Sequence, residues 1–304
     1  MRNYTKWFYC IVLVFLVSAC NKNDATKNTK ETILKGSATV VVDETLQPIV
    51  EDQIEIFESR YDAKIKLDSK SETEVMNALV KGTSTIAILS REFTKDETNF
   101  FANKKVTPKI TPFAIDAIAF ISNRKTKDTL IALNDVINFM KGETNGKIKG
   151  LVFDNPNSST VRYMNDLAGL KSIPQKGVFS FGTNNEVIKF VADNEGMIGI
   201  VGMNWLSQPK PQMQKYVDKV TILSVKGIND NNFYWPDQNN IAEGKYALAR
   251  NLYIINCQGY SGLGMGFASF LAGDVGQRIV LKSGLLPIKV PPRKLSIRKK
   301  IINE

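Results

Sequence analysis

Thr45, Ser71, Ser90 and the run Ser158-Ser159-Thr160 all stand where an apolar, strand-like stretch gives way to a helical pattern. A hydroxyl residue at such a junction caps the helix that follows. It also sits beside unpaired N–H groups at the positive end of the helix dipole, an arrangement suited to an oxyanion. In open α/β sheets ligands bind at the carboxyl edge of the strands, where these junctions collect. Each one alone reads as a cap; several in one chain point to a small-anion site built from loops. Groups suited to catalysis are scarce by comparison. The 304 residues include no histidine, which excludes Ser-His-Asp and Cys-His nucleophiles and the commonest zinc ligand sets. Ser207-Gln208-Pro209-Lys210 has S-x-x-K spacing, but its proline suits a helical nucleophile poorly. Gly262, Gly264 and Gly266 lack G-x-G-x-x-G spacing, and there is no Walker pattern. The chemistry indicated is binding rather than that of an enzyme, with no cofactor and no metal implied.

The elements that must position these residues alternate along the chain. Ala38–Val42, Ala63–Leu67, Thr85–Leu89, Ile115–Ser122, Gly150–Phe153, Met197–Val201 and Leu252–Cys257 read as strands. Helical spacing covers Leu46–Tyr61, with Pro48 tolerable in its first turn. Three S/T-x-x-E capping boxes open further helices: Ser71 with Glu74, Thr94 with Glu97, and Thr183 with Glu186. Asn134 is expected to cap a short helix through Lys141, Ser158-Ser159-Thr160 to cap another, and Gly266–Ser283 to form one long helix. Asn229–Asn240 reads as a polar loop. Strands alternating with helices predict α/β lobes with largely parallel sheets, and about 270 residues of folded body make two lobes the natural division.

The N-terminus says where the protein works. Arg2 and Lys6 precede an uncharged, mostly apolar run, Trp7–Ala19, which reads as a signal peptide over residues 1–19. It is closed by Val17-Ser18-Ala19-Cys20, which resembles the bacterial lipobox and makes Cys20 the expected lipidation site. Residues 20–33 are polar and lysine-rich, a tether that cannot bury a core. Lipid, tether and folded body together place the protein in the cell envelope, membrane-anchored and extracytoplasmic. Cys257 is left without an intrachain partner and reads as a small core residue. The net charge of +10 is partly concentrated in the tail, residues 293–304, where proximity to anionic lipid explains it better than nucleic acid does.

The segment Tyr246–Ile288, YALARNLYIINCQGYSGLGMGFASFLAGDVGQRIVLKSGLLPI, is similar to the closing segment of the phosphate-binding proteins of phosphate-specific ABC transporters. EGMIGIVGMNW at Glu195–Trp205 and TIAILSREF at Thr85–Phe93 resemble two of that family's strands, and the likeness runs from about residue 36 to 292. The resemblance implies a type II periplasmic-binding-protein fold with two crossover strands, near Phe113–Asp116 and Ala247–Asn251. It implies lobe I from 34–113 and 251–292, and lobe II from 116–247. Phosphate or a similar oxyanion would bind between the lobes, and the monomeric protein would deliver it to an ABC permease. Carried over residue by residue, Thr45, Ser71, Ser90, Ser158 and Thr160 match the family's hydroxyl positions, and Ser159 replaces a glycine. Glu44 sets a carboxylate where the anion belongs, Asp154 stands in place of the fourth-loop arginine, and Arg91 follows Ser90 where an aspartate is usual. Arg91 could then supply the cation and Glu44 accept a proton from the ligand, or the two could pair with each other. The remaining readings are the same fold with a different small solute, and a sensor or surface lipoprotein outside transport.

Overall fold

The computed structural model describes residues 31–143, 146 and 148–292; the signal peptide, Cys20, most of the tether and the basic tail lie outside them. The chain opens with β1 (Lys35–Asp43), a 3-10 turn (Glu44–Leu46), α1 (Gln47–Arg60), β2 (Asp62–Lys70), α2 (Glu72–Lys81), β3 (Ile86–Leu89) and α3 (Lys95–Asn103). The long strand β4 (Lys109–Asn123) leads to β5 (Leu130–Ala132), α4 (Leu133–Met140), β6 (Gly150–Phe153), α5 (Ser159–Ala168), β7 (Val178–Ser180), α6 (Asn184–Asp193) and β8 (Met197–Gly202). Next come α7 (Asn204–Ser207), α8 (Pro211–Val217), β9 (Val220–Ile222), β10 (Ser224–Lys226), β11 (Phe233–Tyr234) and α9 (Gln238–Ala242). The chain returns through β12 (Ala249–Asn256), α10 (Leu263–Ala272), α11 (Asp274–Lys282) and β13 (Leu286–Pro287).

The main sheet runs β2-β1-β3-β12-β4-β8-β6-β7, and a small separate sheet runs β11-β10-β5. β1 pairs in parallel with β2 and β3, and β6 with β7 and β8. The predicted parallel pairing thus holds inside each half. The junction differs: β12 is antiparallel to both β3 and β4, and β4 is antiparallel to β8. A strand that returns between lobes must run against its neighbours. β4 is 15 residues long, about 50 Å at roughly 3.3 Å per residue. Its first part pairs with β12 and its last part with β8, so one strand belongs to both lobes.

Strand composition decides the layering. The second half of β1, Val40–Val42, is apolar on both sides, as a strand covered by helices on two faces must be. Val40 and Val42 pack with Ile49, Phe57 and Phe267 beneath α1 and α10, whereas Val41 packs with Val75, Leu79 and Phe101 beneath α2 and α3. The second half repeats the pattern. Ile118 and Phe120 meet Val136 and Met164 of α4 and α5, and Ala119 and Ile121 meet Val187 and Val191 of α6. With both faces of each half-sheet closed, the exposed parts of the strands are their ends, and the functional loops are there.

Three expectations about elements are corrected. The long helix at Gly266–Ser283 is two helices, because Gly273 is extended (φ −84°, ψ 169°), ending α10 and capping α11. Asn134 lies inside α4, whose cap is Ala132. The loop Asn229–Asn240 contains β11 and the start of α9, capped by Asp237. The three capping boxes form as read. No helix among the described residues is long and apolar enough to cross a membrane.

Candidate functional site

The carboxyl end of β1 carries Asp43, Glu44 and Thr45 into the space between the lobes. The loop after β6, the N-terminus of α5 and the N-terminus of α6 arrive from the other side. Ser158 caps α5 by accepting from the Val161 N–H at 3.2 Å. That leaves the N–H of Ser159 unused by the helix, and it donates to Asp43 Oδ2 at 3.2 Å. At α6, the Asn184 N–H lies 3.3 Å from both Glu44 oxygens, and Asn184 Nδ2 donates to Glu44 Oε2 at 2.7 Å. Two helix N-termini of one lobe therefore each hold a carboxylate of the other.

Asp154 links the two clusters. It accepts from Ser158 Oγ at 2.5 Å, from Thr45 Oγ1 at 3.0 Å and from Asn184 Nδ2 at 3.1 Å. The Thr160 hydroxyl lies 3.5 Å from that of Thr45. A positive charge enters from β12. Arg250 donates through Nη1 to Ser159 Oγ at 2.9 Å, and its Nε and Nη2 reach Asp116 Oδ2 at 3.2 and 2.9 Å. Arg250 and Asp116 face each other across the β12–β4 ladder. The close approach has a backbone requirement at Gly202, where a Cβ would meet Asn204 Oδ1 at 2.8 Å and the Thr45 carbonyl at 3.1 Å. Trp205 seals the same place by donating its Nε1–H to the Thr45 carbonyl at 2.9 Å.

Burial sets the electrostatics. Asp43, Thr45, Asp116, Ser159, Thr160 and Asn184 are fully buried, and Asp154, Ser158 and Arg250 nearly so. Burial pushes the Asp43 carboxyl up to about 7, with Asp154 and Glu72 adding to the rise and the Ser159 bond and Arg250 opposing it. Burial likewise pushes Glu44 up to about 8 and Asp154 up to about 6, in each case against the hydrogen bonds they accept. Asp116 is also raised by burial, with Arg250 opposing. A carboxyl whose pKa is higher folded than unfolded costs stability as pH rises from its ordinary value, about 4, to its folded value. Thermal melting should therefore fall between pH 5 and pH 8.5, and Glu44→Gln should flatten that fall. Calorimetric melts at the two pH values test this; an equally steep fall in the variant would reject the assignment to Glu44.

Of the residues singled out in the sequence, the structure brings Glu44, Thr45, Ser158, Ser159 and Thr160 together. Ser71 and Ser90 lie to one side. The Ser71 hydroxyl donates to its own helix partner Glu74 at 2.7 Å, and Ser90 Oγ is 3.5 Å from Arg162 Nη2. Arg91 is held by acids: its Nε donates to Glu72 at 3.0 Å and its Nη atoms to Glu97 at 2.7 and 2.9 Å. Glu72 also accepts from Arg162 Nε at 2.6 Å, tying α2 to α5 across the lobes. The expected alternative of an Arg91–Glu44 pair is not formed, since Glu44 is bound to Asn184. The cation that reaches the hydroxyl cluster is Arg250. A groove of about 440 Å³, lined by Glu72, Thr73, Asn157, Ser158, Arg162 and Lys171, opens beside it.

Arg250, Asp116, Asp43 and Asn184 were not candidates from sequence. A signal existed for the first two, because each is the charge that interrupts an otherwise apolar strand. Cys257 is half-buried with a thiol pushed up to about 11 by burial, as an inert packing residue would be.

Comparison with known proteins agrees with this architecture. The phosphate-binding protein PstS of Borreliella burgdorferi is 28% identical over 302 residues, covering 92% of this chain and 98% of that protein. A phosphate-bound substrate-binding protein assigned to a phosphate ABC transporter of Clostridium perfringens superposes with a TM-score of 0.71 at 19% identity, over 84% of this chain and all of that one. An ABC-type phosphate transport receptor from Vibrio cholerae gives 0.62 at 19% identity, over 82% and 99%. The sequence profile of the PBP superfamily domain matches residues 25–275, and with its two α/β lobes sharing β4 the chain belongs to that superfamily.

Proposed function

We propose that the protein captures phosphate between its lobes and presents it to the permease of an ABC importer. The observation that carries this reading is that the N–H groups of two helix N-termini, with Arg250 beside them, already grip carboxylate oxygens in a buried site. Donors arranged to hold carboxylate oxygens can hold phosphate oxygens in the same way. The relatives named above, three proteins of phosphate binding or transport, support the choice of anion. Ser158, Ser159, Thr160 and Thr45 supply hydroxyls, the Ser159 and Asn184 N–H groups and Arg250 supply the positive end, and Glu44 walls the site. Arg91 and Ser90 order its rim through Glu72 and Arg162, and Ser71 caps the helix that carries Glu72. Among the described residues no group of three acidic, cysteine or histidine side chains is placed to hold a metal ion.

Residues 34–113 with 251–292, and 116–247, act as lobes I and II that close on the ligand as a hinge. Calorimetric titration of the purified protein with phosphate, arsenate and sulfate tests the assignment; heat with phosphate and arsenate is expected. The three buried carboxyls favour a second reading, the same fold holding another small solute, and silence with all three anions would select it.

The same reading makes the protein a monomeric lipoprotein anchored outside the cytoplasm by Cys20, with residues 20–33 as its tether. Cys20→Ser should release it from the membrane fraction, because stable anchoring requires the acyl chains. A variant still wholly in the membrane pellet would reject lipidation at this cysteine.

A further inference from the structure

We infer that Asp43 and Glu44 act as internal competitors for the anion, occupying the Ser159 and Asn184 N–H groups and holding the lobes together until a ligand displaces them. The inference rests on the anion-binding reading above, and adds that the site carries its own substitute ligand. Three observations lead to it. Asp43 and Glu44 are consecutive at the end of β1 and reach two different helices, α5 and α6, each at its first turn. The contacts are between lobes: the carboxyls come from one half of the sheet and the N–H groups from the other. The cluster is also poorly compensated. Asp43 faces Asp154, Glu72 and Arg250, and Glu44 faces Asp154 and Asp43. Asp43 Oδ1 has no hydrogen-bond partner at all. An arrangement so short of positive charge serves the fold badly, yet it covers the donors an anion needs.

The energetic consequence is a reduced apparent affinity. When the binding-competent state is a fraction of the population, the observed dissociation constant is the intrinsic one divided by that fraction. Removing a competitor raises the fraction. The carboxylates are covalently attached and so compete at high effective concentration.

The test uses two readouts. The first is the dissociation constant for inorganic phosphate, by calorimetry at about pH 9, where both carboxyls are mostly ionised, for wild type, Glu44→Ala and Asp43→Asn. The second needs no ligand. Trp205 is 7% exposed and bonded to Thr45 across the interface. Of the three tryptophans, Trp7 lies in the proposed signal peptide and is absent from a protein that begins at Cys20, so with Trp235 replaced by Phe, acrylamide quenching reports Trp205 alone. The expected result is phosphate binding at least tenfold tighter in Glu44→Ala, and stronger quenching of Trp205 in both variants before phosphate is added. Asp43→Asn keeps the side-chain shape and guards against a folding defect in the other. Equal or weaker phosphate binding in both variants would overturn the inference, as would unchanged quenching. Phosphate binding by none of the three proteins, with quenching still raised in the variants, would reject phosphate as the ligand while supporting the competitor contact.

Discussion

Arg250→Ala should remove phosphate binding and lower stability at the same time. Its guanidinium is the cation in contact with the hydroxyl cluster, through Ser159 Oγ, and it is also the partner of the fully buried Asp116. Truncating one member of a buried, hydrogen-bonded charge pair costs about 2–5 kcal/mol of affinity at a binding site, so a loss of thirtyfold or more is expected. The same change leaves Asp116 as an uncompensated buried charge, with a stability cost of about 3–5 kcal/mol. The backbone of Ala117 would remain to favour the Asp116 carboxylate, which offsets only part of that loss. The two effects separate in the double variant Arg250→Met/Asp116→Leu. Replacing a buried pair by apolar groups is often neutral, so that protein should melt near wild type and still fail to bind. Arg91→Ala is the control. Glu72 keeps Arg162 when Arg91 is lost, and affinity should change far less than with Arg250→Ala. Calorimetry and thermal melts on the three proteins decide the matter; full affinity in the double variant would exclude Arg250 from the site.

Ser159→Asp is the second large effect. Ser159 is fully buried, its N–H faces Asp43 and its hydroxyl faces Arg250. A carboxylate here would bind Arg250 and spend the site's positive charge, while standing beside Asp43 in a medium that screens poorly. Phosphate affinity should fall at least a hundredfold. The extra atoms have no free space and should cost about 1–3 kcal/mol by overpacking, seen as a melting temperature several degrees lower. Ser159→Ala should bind nearly as well as wild type, because the backbone N–H remains. If the Asp variant takes up phosphate normally, the anion does not sit at this helix N-terminus.

The contrast between Ser159 and Arg250 shows what could be read before the structure. Ser158, Ser159 and Thr160 were legible because a cap is local: a hydroxyl residue, a helical pattern and a preceding apolar run all lie within a few positions. Thr45 was legible for the same reason. Arg250 and Asp116 are partners 134 residues apart, joined only by the register of two strands. Asn184 was hidden inside a capping box, where Thr183 and Glu186 explained the pattern and its own N–H drew no attention. Arg91 invites a ligand role as a cation in a binding loop, and its pairing with Glu72 and Glu97 could not be read from its neighbours in the chain. The apolar strands made the layering predictable. The split of the last helix at Gly273 did not show, since the apolar spacing continues across it.

The position of β12 bears on how the chain is made. It lies between β3 and β4, although it is among the last strands to be synthesised. Until residues 249–256 emerge, β3 and β4 each offer an unpaired edge, and Ile86, Ile88 and the first part of β4 have no neighbour on that side. Such edges invite pairing with other chains while they stay open. β1, β2 and β3 can pair among themselves, but their joining to β4 waits on the C-terminal segment, whereas β6, β7 and β8 can pair as soon as they appear. A chain ending short of Ala249 should fold its middle and aggregate through its beginning.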